Sequence, residues 1–123
     1  MSSLALNILL VDDDLFLHRI QSALITKFGH DVYAVASGEA AIQCLHHRDF
    51  DLVLMDVMMP KMDGLQTTQK LRQLGCQLPI FALTGNDSPE DRQNAKQAGM
   101  NGYLTKPIQK SAFDQLVARF FSA

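Results

Sequence analysis

The 123 residues amount to 13.7 kDa and 47% of them are hydrophobic, enough to bury one core without disulfides or a structural metal, so intrinsic disorder and a cross-linked mini-protein are excluded. Lys and Arg number 11 against 13 Asp and Glu, a net charge of -2, which leaves no positive excess for nucleic-acid phosphates or an anionic membrane. The acids are lopsided: Glu39 and Glu90 are the only glutamates, and the other 11 are aspartates.

The first residues lack the charged-then-apolar pattern of a secretion signal, and no apolar run approaches the roughly 20 residues of a membrane span. A soluble, cytoplasmic protein without membrane insertion is expected. Cys44 and Cys76 show neither CxxC nor Cys/His ligand spacing and read as thiols in a reducing compartment.

In chain order, Leu6 to Val11 is apolar almost throughout, as a strand covered on both faces must be. Asp14 reads as an N-cap or first-turn acid of a first helix and not as a further metal ligand, and in that helix Phe16, Ile20, Ala23, Leu24 and Phe28 recur at helical spacing before Gly29 ends it. Asp31 to Val35 is a second strand, and Ser37-Gly38 opens a second helix with Ala41, Ile42 and Leu45 on one face. His46 and His47 there diverge by about 100°, so they read as a solvated pair and not as a chelate. Leu52 to Met55 is a third strand and, with the first, the expected central pair. Asp63 caps a third helix from Gly64 to Leu74, and Met55, Met58, Met59 and Met62 read as core and loop packing. Ile80 to Leu83 is a fourth strand. Ser88 caps a fourth helix with Pro89 at its first position and Ala98-Gly99 at its end. Gly102 to Leu104 and a helix carrying Phe113, Leu116, Val117 and Phe120 complete the chain. Five β–α alternations without repeat or linker predict an α/β fold, a parallel sheet with helices on both faces, in a single domain over 1–123.

Right-handed crossovers bring all parallel strand ends to one rim, where ligands usually sit. Four of the five ends carry polar chemistry: Asp12-Asp13-Asp14, Asp56, Thr84-Gly85 and Lys106-Pro107. Asp12, Asp13 and Asp56 fall on adjacent strands, too close for all three to stay ionised cheaply without a cation. Oxygen ligands with no His or Cys at the rim suit Mg²⁺ and not zinc or copper. Lys106, the Thr84 hydroxyl and nearby helix amides favour an oxyanion beyond the metal. Asp56, alone at the end of a buried strand, is the candidate nucleophile that becomes an aspartyl phosphate.

Four motifs stand in order at those ends: VDDD at Val11 to Asp14, LMDVMMPKMDG from Leu54 to Gly64, ALTG from Ala82 to Gly85, and YLTKP from Tyr103 to Pro107. With these the chain resembles a response-regulator receiver domain of two-component signalling, and among them receivers of hybrid histidine kinase and phosphorelay systems. The resemblance implies a flavodoxin-like doubly wound (βα)5 fold with strand order 2-1-3-4-5. It further implies that Asp56 accepts phosphate from a histidine kinase or a histidine phosphotransfer protein. Mg²⁺ would be bound by Asp13, Asp56 and the Met58 backbone carbonyl, with Asp12 acting through water. Thr84 and Lys106 would hold the phosphoryl oxygens, Tyr103 would be the switch aromatic, and the Lys106-Pro107 bond would be cis. Met58 and Asn86 would tune phosphoryl lifetime. A phosphorylation-dependent homodimer or a downstream protein target is a further implied partner.

Three rivals are weaker on the same residues. A haloacid-dehalogenase phosphatase wants its nucleophile in a first-strand DxD followed by Thr or Val, whereas Asp14 is followed by Leu15. A receiver that binds partners without phosphorylation has no use for the full Asp, Asp, Thr and Lys set. A flavodoxin needs a hydroxyl- and glycine-rich loop where three aspartates would repel the flavin phosphate.

Overall fold

Side-chain alternation along five short strands divides the apolar residues into two sets, one for each face of a sheet. The computed structural model describes residues 5–85 and 88–121. Its elements are β1 (Asn7–Val11), α1 (Leu15–Lys27), β2 (Asp31–Val35), α2 (Gly38–His47), β3 (Leu52–Asp56), α3 (Gly64–Gln73), β4 (Ile80–Thr84), α4 (Pro89–Ala98), β5 (Gly102–Thr105) and α5 (Lys110–Phe120). The strands pair in parallel in the order β2-β1-β3-β4-β5, the doubly wound arrangement expected.

Ile8, Leu10, Leu52, Leu54, Phe81, Leu83 and Leu104 pack with Ile25 of α1 and Phe113 of α5 on one face. Leu9, Val11, Val53, Met55, Ile80 and Ala82 pack with Ala41 of α2, Leu71 of α3 and Ala95 of α4 on the other. β3 occupies the centre, and β4 is buried along its whole length like β3. The apolar pair expected at the centre, β1 and β3, is therefore joined by β4.

Short polar residues set the starts of α1, α2, α3 and α4. Asp14 accepts the amides of Phe16 and Leu17, Ser37 that of Ala40, and Ser88 that of Asp91. Asp63 forms a capping box with Gln66, the two exchanging side-chain to backbone hydrogen bonds of 2.8 and 3.0 Å. The expected caps Asp14, Asp63 and Ser88 are all present. Gly64 follows directly, and a Cβ there would overlap the Asp56 carbonyl. Only glycine lets α3 begin so close to the end of β3.

The stripe expected on α1 is rotated. Phe16 is 72% exposed and Ala23 faces solvent, whereas the fully buried positions are Gln21 and Ile25. Gln21 is tolerated inside because its Oε1 accepts the amide of Ile108, 87 residues away. Met58 also departs from the packing expected of the methionines and is 77% exposed, although Met55 and Met59 are buried. His46 and His47 are exposed, as expected. Among the described residues no helix is long and apolar enough to cross a membrane.

Candidate functional site

The rim is built by the same alternation that sorts the core. Continuing the rows of Leu10, Leu54 and Leu104 by two residues brings Asp12, Asp56 and Lys106 to the same side of the sheet. The β1–β3 register ends at Val11 opposite Met55, and the β3–β4 register at Asp56 opposite Leu83. Beyond the last pairs the ladder is prolonged by Asp12 N–H to the Val35 carbonyl, Val57 N–H to that of Leu83 and Lys106 N–H to that of Thr84. The acids and the lysine therefore stand on ordered backbone.

Asp12 and Asp56 are held in the same way. Each uses Oδ1 to accept the amide two residues on, from Asp14 at 3.0 Å and Met58 at 3.1 Å, the turn that short carboxylate side chains favour. Each directs Oδ2 at the Lys106 ammonium, 3.1 Å from Asp12 and 3.3 Å from Asp56. A glutamate's extra methylene would break this geometry, which gives the aspartate excess at these positions a physical reason. Asp12 is fully buried and Asp56 nearly so, with Asp13 half-buried beside them. Burial raises the Asp56 carboxyl to about 6; Lys106 and the Met58 amide oppose the rise and Asp12 adds to it.

Carboxylate oxygens of Asp12, Asp13 and Asp56 lie within 4.8 Å of one another. Among the described residues, buried Asp12 Oδ2 meets no aligned hydrogen-bond donor, and the Lys106 charge lies 3.1 Å from it. Three acids faced by one ammonium leave a negative surplus of hard oxygens, so the donor set fits Mg²⁺. Thr84 ends β4, buried, and Lys106-Pro107 is cis, as the resemblance implied. Tyr103 is half-buried against the face covered by α2, α3 and α4, with the Arg92 guanidinium of α4 at 4.9 Å from its ring centre. Asn86 lies outside the described residues. A broad cavity of about 770 Å³, lined by residues such as Ile42, Phe50, Leu71 and Leu78, lies between the ends of α2 and α3 and contains none of the rim acids.

The family described as the response regulator receiver domain matches residues 8–118. The chain belongs to this family. It is 39% identical over 98% of its length to the sensor histidine kinase GacS of Pseudomonas protegens, of which it spans 14%, and 37% identical over 96% to the two-component response regulator ARR22 of Arabidopsis thaliana, of which it spans 85%. Among solved structures it is similar to the receiver domain of the sensor histidine kinase PA1611 from Pseudomonas aeruginosa, described with a magnesium ion coordinated in the active site cleft. The TM-score is 0.84 at 34% identity, covering 98% of this chain and all of that one. As a receiver domain the chain is a signalling switch of two-component and phosphorelay systems.

Three residues that organise this receiver escaped the motif reading. Gln21 is one. His30 is buried, accepts the Leu6 amide on Nδ1 at 3.0 Å and sets its ring edge-on to Phe113. Arg72 uses all five of its N–H groups: two on Gly99 O, one each on Cys76 O and Leu78 O, and one on Asn101 Oδ1. A polar residue inside the α1 apolar row was the available signal for Gln21. Backbone acceptors such as those of Arg72 leave none.

Proposed function

We propose that residues 1–123 act as one phosphoacceptor receiver in which Asp56 takes a phosphoryl group from a phosphohistidine, in a Mg²⁺-dependent reaction, and thereby alters a partner-binding face. The observation that carries this reading is the convergence of Asp12 Oδ2 and Asp56 Oδ2 on Lys106 Nζ at the rim where Thr84 also ends.

Burial raises the Asp56 carboxyl while Lys106 opposes the rise, and a cation bound beside it would favour the ionised form that a nucleophile needs. Asp56 Oδ1 is occupied by the Met58 amide, so Oδ2 is the oxygen placed to attack. The new Oδ2–P bond forms as the P–N bond of the phosphohistidine breaks. The imidazole departs with that electron pair and leaves neutral because the other ring nitrogen of the phosphohistidine is already protonated when the bond breaks. Asp12, Asp13, Asp56 and the Met58 carbonyl would hold Mg²⁺, which when bound neutralises charge on the transferring group. Lys106 follows the charge from carboxylate to phosphoryl oxygen, and the Thr84 hydroxyl donates to a second oxygen. Tyr103 responds to the movement of Thr84 and carries the change to α4, β5 and α5.

The donor is a histidine kinase or a histidine phosphotransfer protein, the class to which the GacS and PA1611 relatives point. Leu15 and Phe16 at the start of α1 and Met58 beside the nucleophile are 67%, 72% and 77% exposed and suit an apolar contact with such a protein. The domain works in the cytoplasm, contacts nucleic acid only through partners, and performs no catalysis beyond its own phosphorylation and slow dephosphorylation. A phosphorylation-dependent homodimer or a downstream target would read the altered face.

Intact-mass measurement after incubation with acetyl phosphate and Mg²⁺ tests the reading. One phosphoryl group should be gained by the wild type, and none with EDTA or in Asp56→Asn. A folded wild type whose mass does not change overturns it.

A further inference from the structure

We propose that Gln21, outside the acidic site, is the positioning residue that fixes Lys106 against Asp12 and Asp56. The inference deepens the proposed function and rests on its assignment of Lys106 to the phosphoryl group.

Lys106 follows the carboxyl end of β5, and the next residue, Pro107, has no amide N–H. The first amide able to anchor the chain beyond the lysine is therefore that of Ile108. It donates to Gln21 Oε1 at 3.1 Å, in a contact buried on both sides. On the other side of the lysine, Lys106 N–H donates to Thr84 O at 2.8 Å. The backbone that carries Nζ is thus held by β4 at one end and by α1 at the other.

Packing alone does not account for a glutamine here. Gln21 is fully buried, and its Nε2 has no hydrogen-bond partner among the described residues. A carboxamide so fully buried is costly to take out of water, whereas a methionine of similar shape is not. What glutamine supplies and an apolar residue cannot is an acceptor for the Ile108 amide. That acceptor matters because the lysine stem is flexible and its ammonium is a point charge, so Nζ is placed only as well as its backbone is. Asp12 and Asp56 are each fixed through Oδ1 and do not follow a wandering lysine. The contacts of 3.1 and 3.3 Å leave less than 1 Å before an ion pair is lost, so a shift of about 1 Å in the 106–108 segment must be taken up by rotating the lysine stem away from its present geometry, the scale at which misplacement slows chemistry.

Two variants separate the acceptor from the volume. Gln21→Met removes the acceptor at similar size, and Gln21→Glu as the neutral acid keeps a carbonyl oxygen in place. In the metal-free chain, the side-chain NMR resonances of Lys106 should move toward those of a free lysine in Gln21→Met, and exchange of the Ile108 amide should rise about fivefold or more, the weight of one buried hydrogen bond. Gln21→Glu should restore both. With acetyl phosphate and Mg²⁺, Gln21→Met should accept phosphate roughly five- to tenfold more slowly, and in a Lys106→Ala background the same substitution should change nothing further. Unaltered Lys106 resonances in folded Gln21→Met, or an equal slowing with and without Lys106, would overturn the proposal. If Gln21→Met does not fold, Gln21→Asn, which withdraws the acceptor by one methylene, is read identically. A wild type that accepts no phosphate defeats the proposed function, while the NMR comparison still decides whether Gln21 positions Lys106.

Discussion

Lys106 reaches Asp56 across the sheet rim, Nζ to Oδ2 at 3.3 Å, while the same ammonium lies 3.1 Å from Asp12. One positive charge therefore serves two buried carboxylates, and the Asp56 carboxyl rises from 3.8 to about 6, chiefly through burial. A raised carboxyl binds its proton more tightly in the folded protein than in the unfolded chain. The stability it contributes is complete below 3.8 and is lost as pH climbs through about 6. At pH 7, metal-free Asp56→Asn should accordingly be more stable than the wild type by about 1–3 kcal/mol, an advantage that vanishes near pH 4. Urea denaturation in EDTA at the two pH values measures it. Equal stability at pH 7 would mean that burying the ionised Asp56 carboxylate does not work against the fold.

A cation should relieve the same surplus. Mg²⁺ bound by the folded protein alone stabilises it by RT ln(1 + [Mg²⁺]/Kd), about 2.7 kcal/mol at a hundredfold excess over Kd. Millimolar Mg²⁺ is expected to raise the melting temperature of the wild type, and to do so much less in Asp13→Asn. Asp114→Asn is the control, because its carboxylate pairs with Lys110 on the exposed face of α5. An equal rise in Asp13→Asn would exclude Asp13 as a ligand.

The strands and the rim were legible because both follow from alternation. Apolar runs such as LNILLV and LVLM fix the faces of the sheet, and the next side chain on each row must emerge at the strand end, where Asp12, Asp56 and Lys106 are found. Caps were legible for a related reason: Asp14, Asp63 and Ser88 act on amides two or three residues away. What could not be read was set by distant partners. The α1 stripe was rotated because helical periodicity counts apolar residues equally, whereas burial there is decided by the Ile108 amide that Gln21 meets. His30 and Arg72 were invisible for the same reason, since a main-chain donor or acceptor has no signature in the sequence.

His30 should make the fold sensitive to mild acid. Its Nδ1 accepts the Leu6 amide, and a protonated ring has no lone pair there. Burial lowers its pKa from 6.5; Asp114 and Asp31 oppose the shift, and Lys110 adds to it. The neutral ring is thus the folded form, and its contribution is present above 6.5 and lost as pH falls toward the lowered value. Asp56 acts in the opposite direction over part of this window, so the comparison belongs in the Asp56→Asn background. There, stability should fall between pH 7 and 5 with a slope of up to about 1.4 kcal/mol per pH unit, and the fall should be absent once His30→Gln is added. Persistence of the slope in the double variant would remove His30 as its source.

Arg72 ties the end of α3 to the turn between α4 and β5. Its guanidinium donates to Gly99 O through Nε and Nη2, to Cys76 O and Leu78 O through Nη1, and to Asn101 Oδ1, which also accepts the Ile80 amide. Gly99 ends α4 in the left-handed conformation at φ 107, with the Arg72 stem against the place a Cβ would take. Only a planar fork serves four oxygens arranged in this way, and an ammonium cannot. Arg72→Ala should therefore lower stability by about 2–4 kcal/mol, several partly buried acceptors being stranded at once, and Arg72→Lys should recover less than half of the loss. Exchange of the Ile80 amide should accelerate in both variants beyond what global stability explains, because its acceptor Asn101 loses its anchor. Full recovery in Arg72→Lys would show that the charge, and not the fork, holds this end of α4.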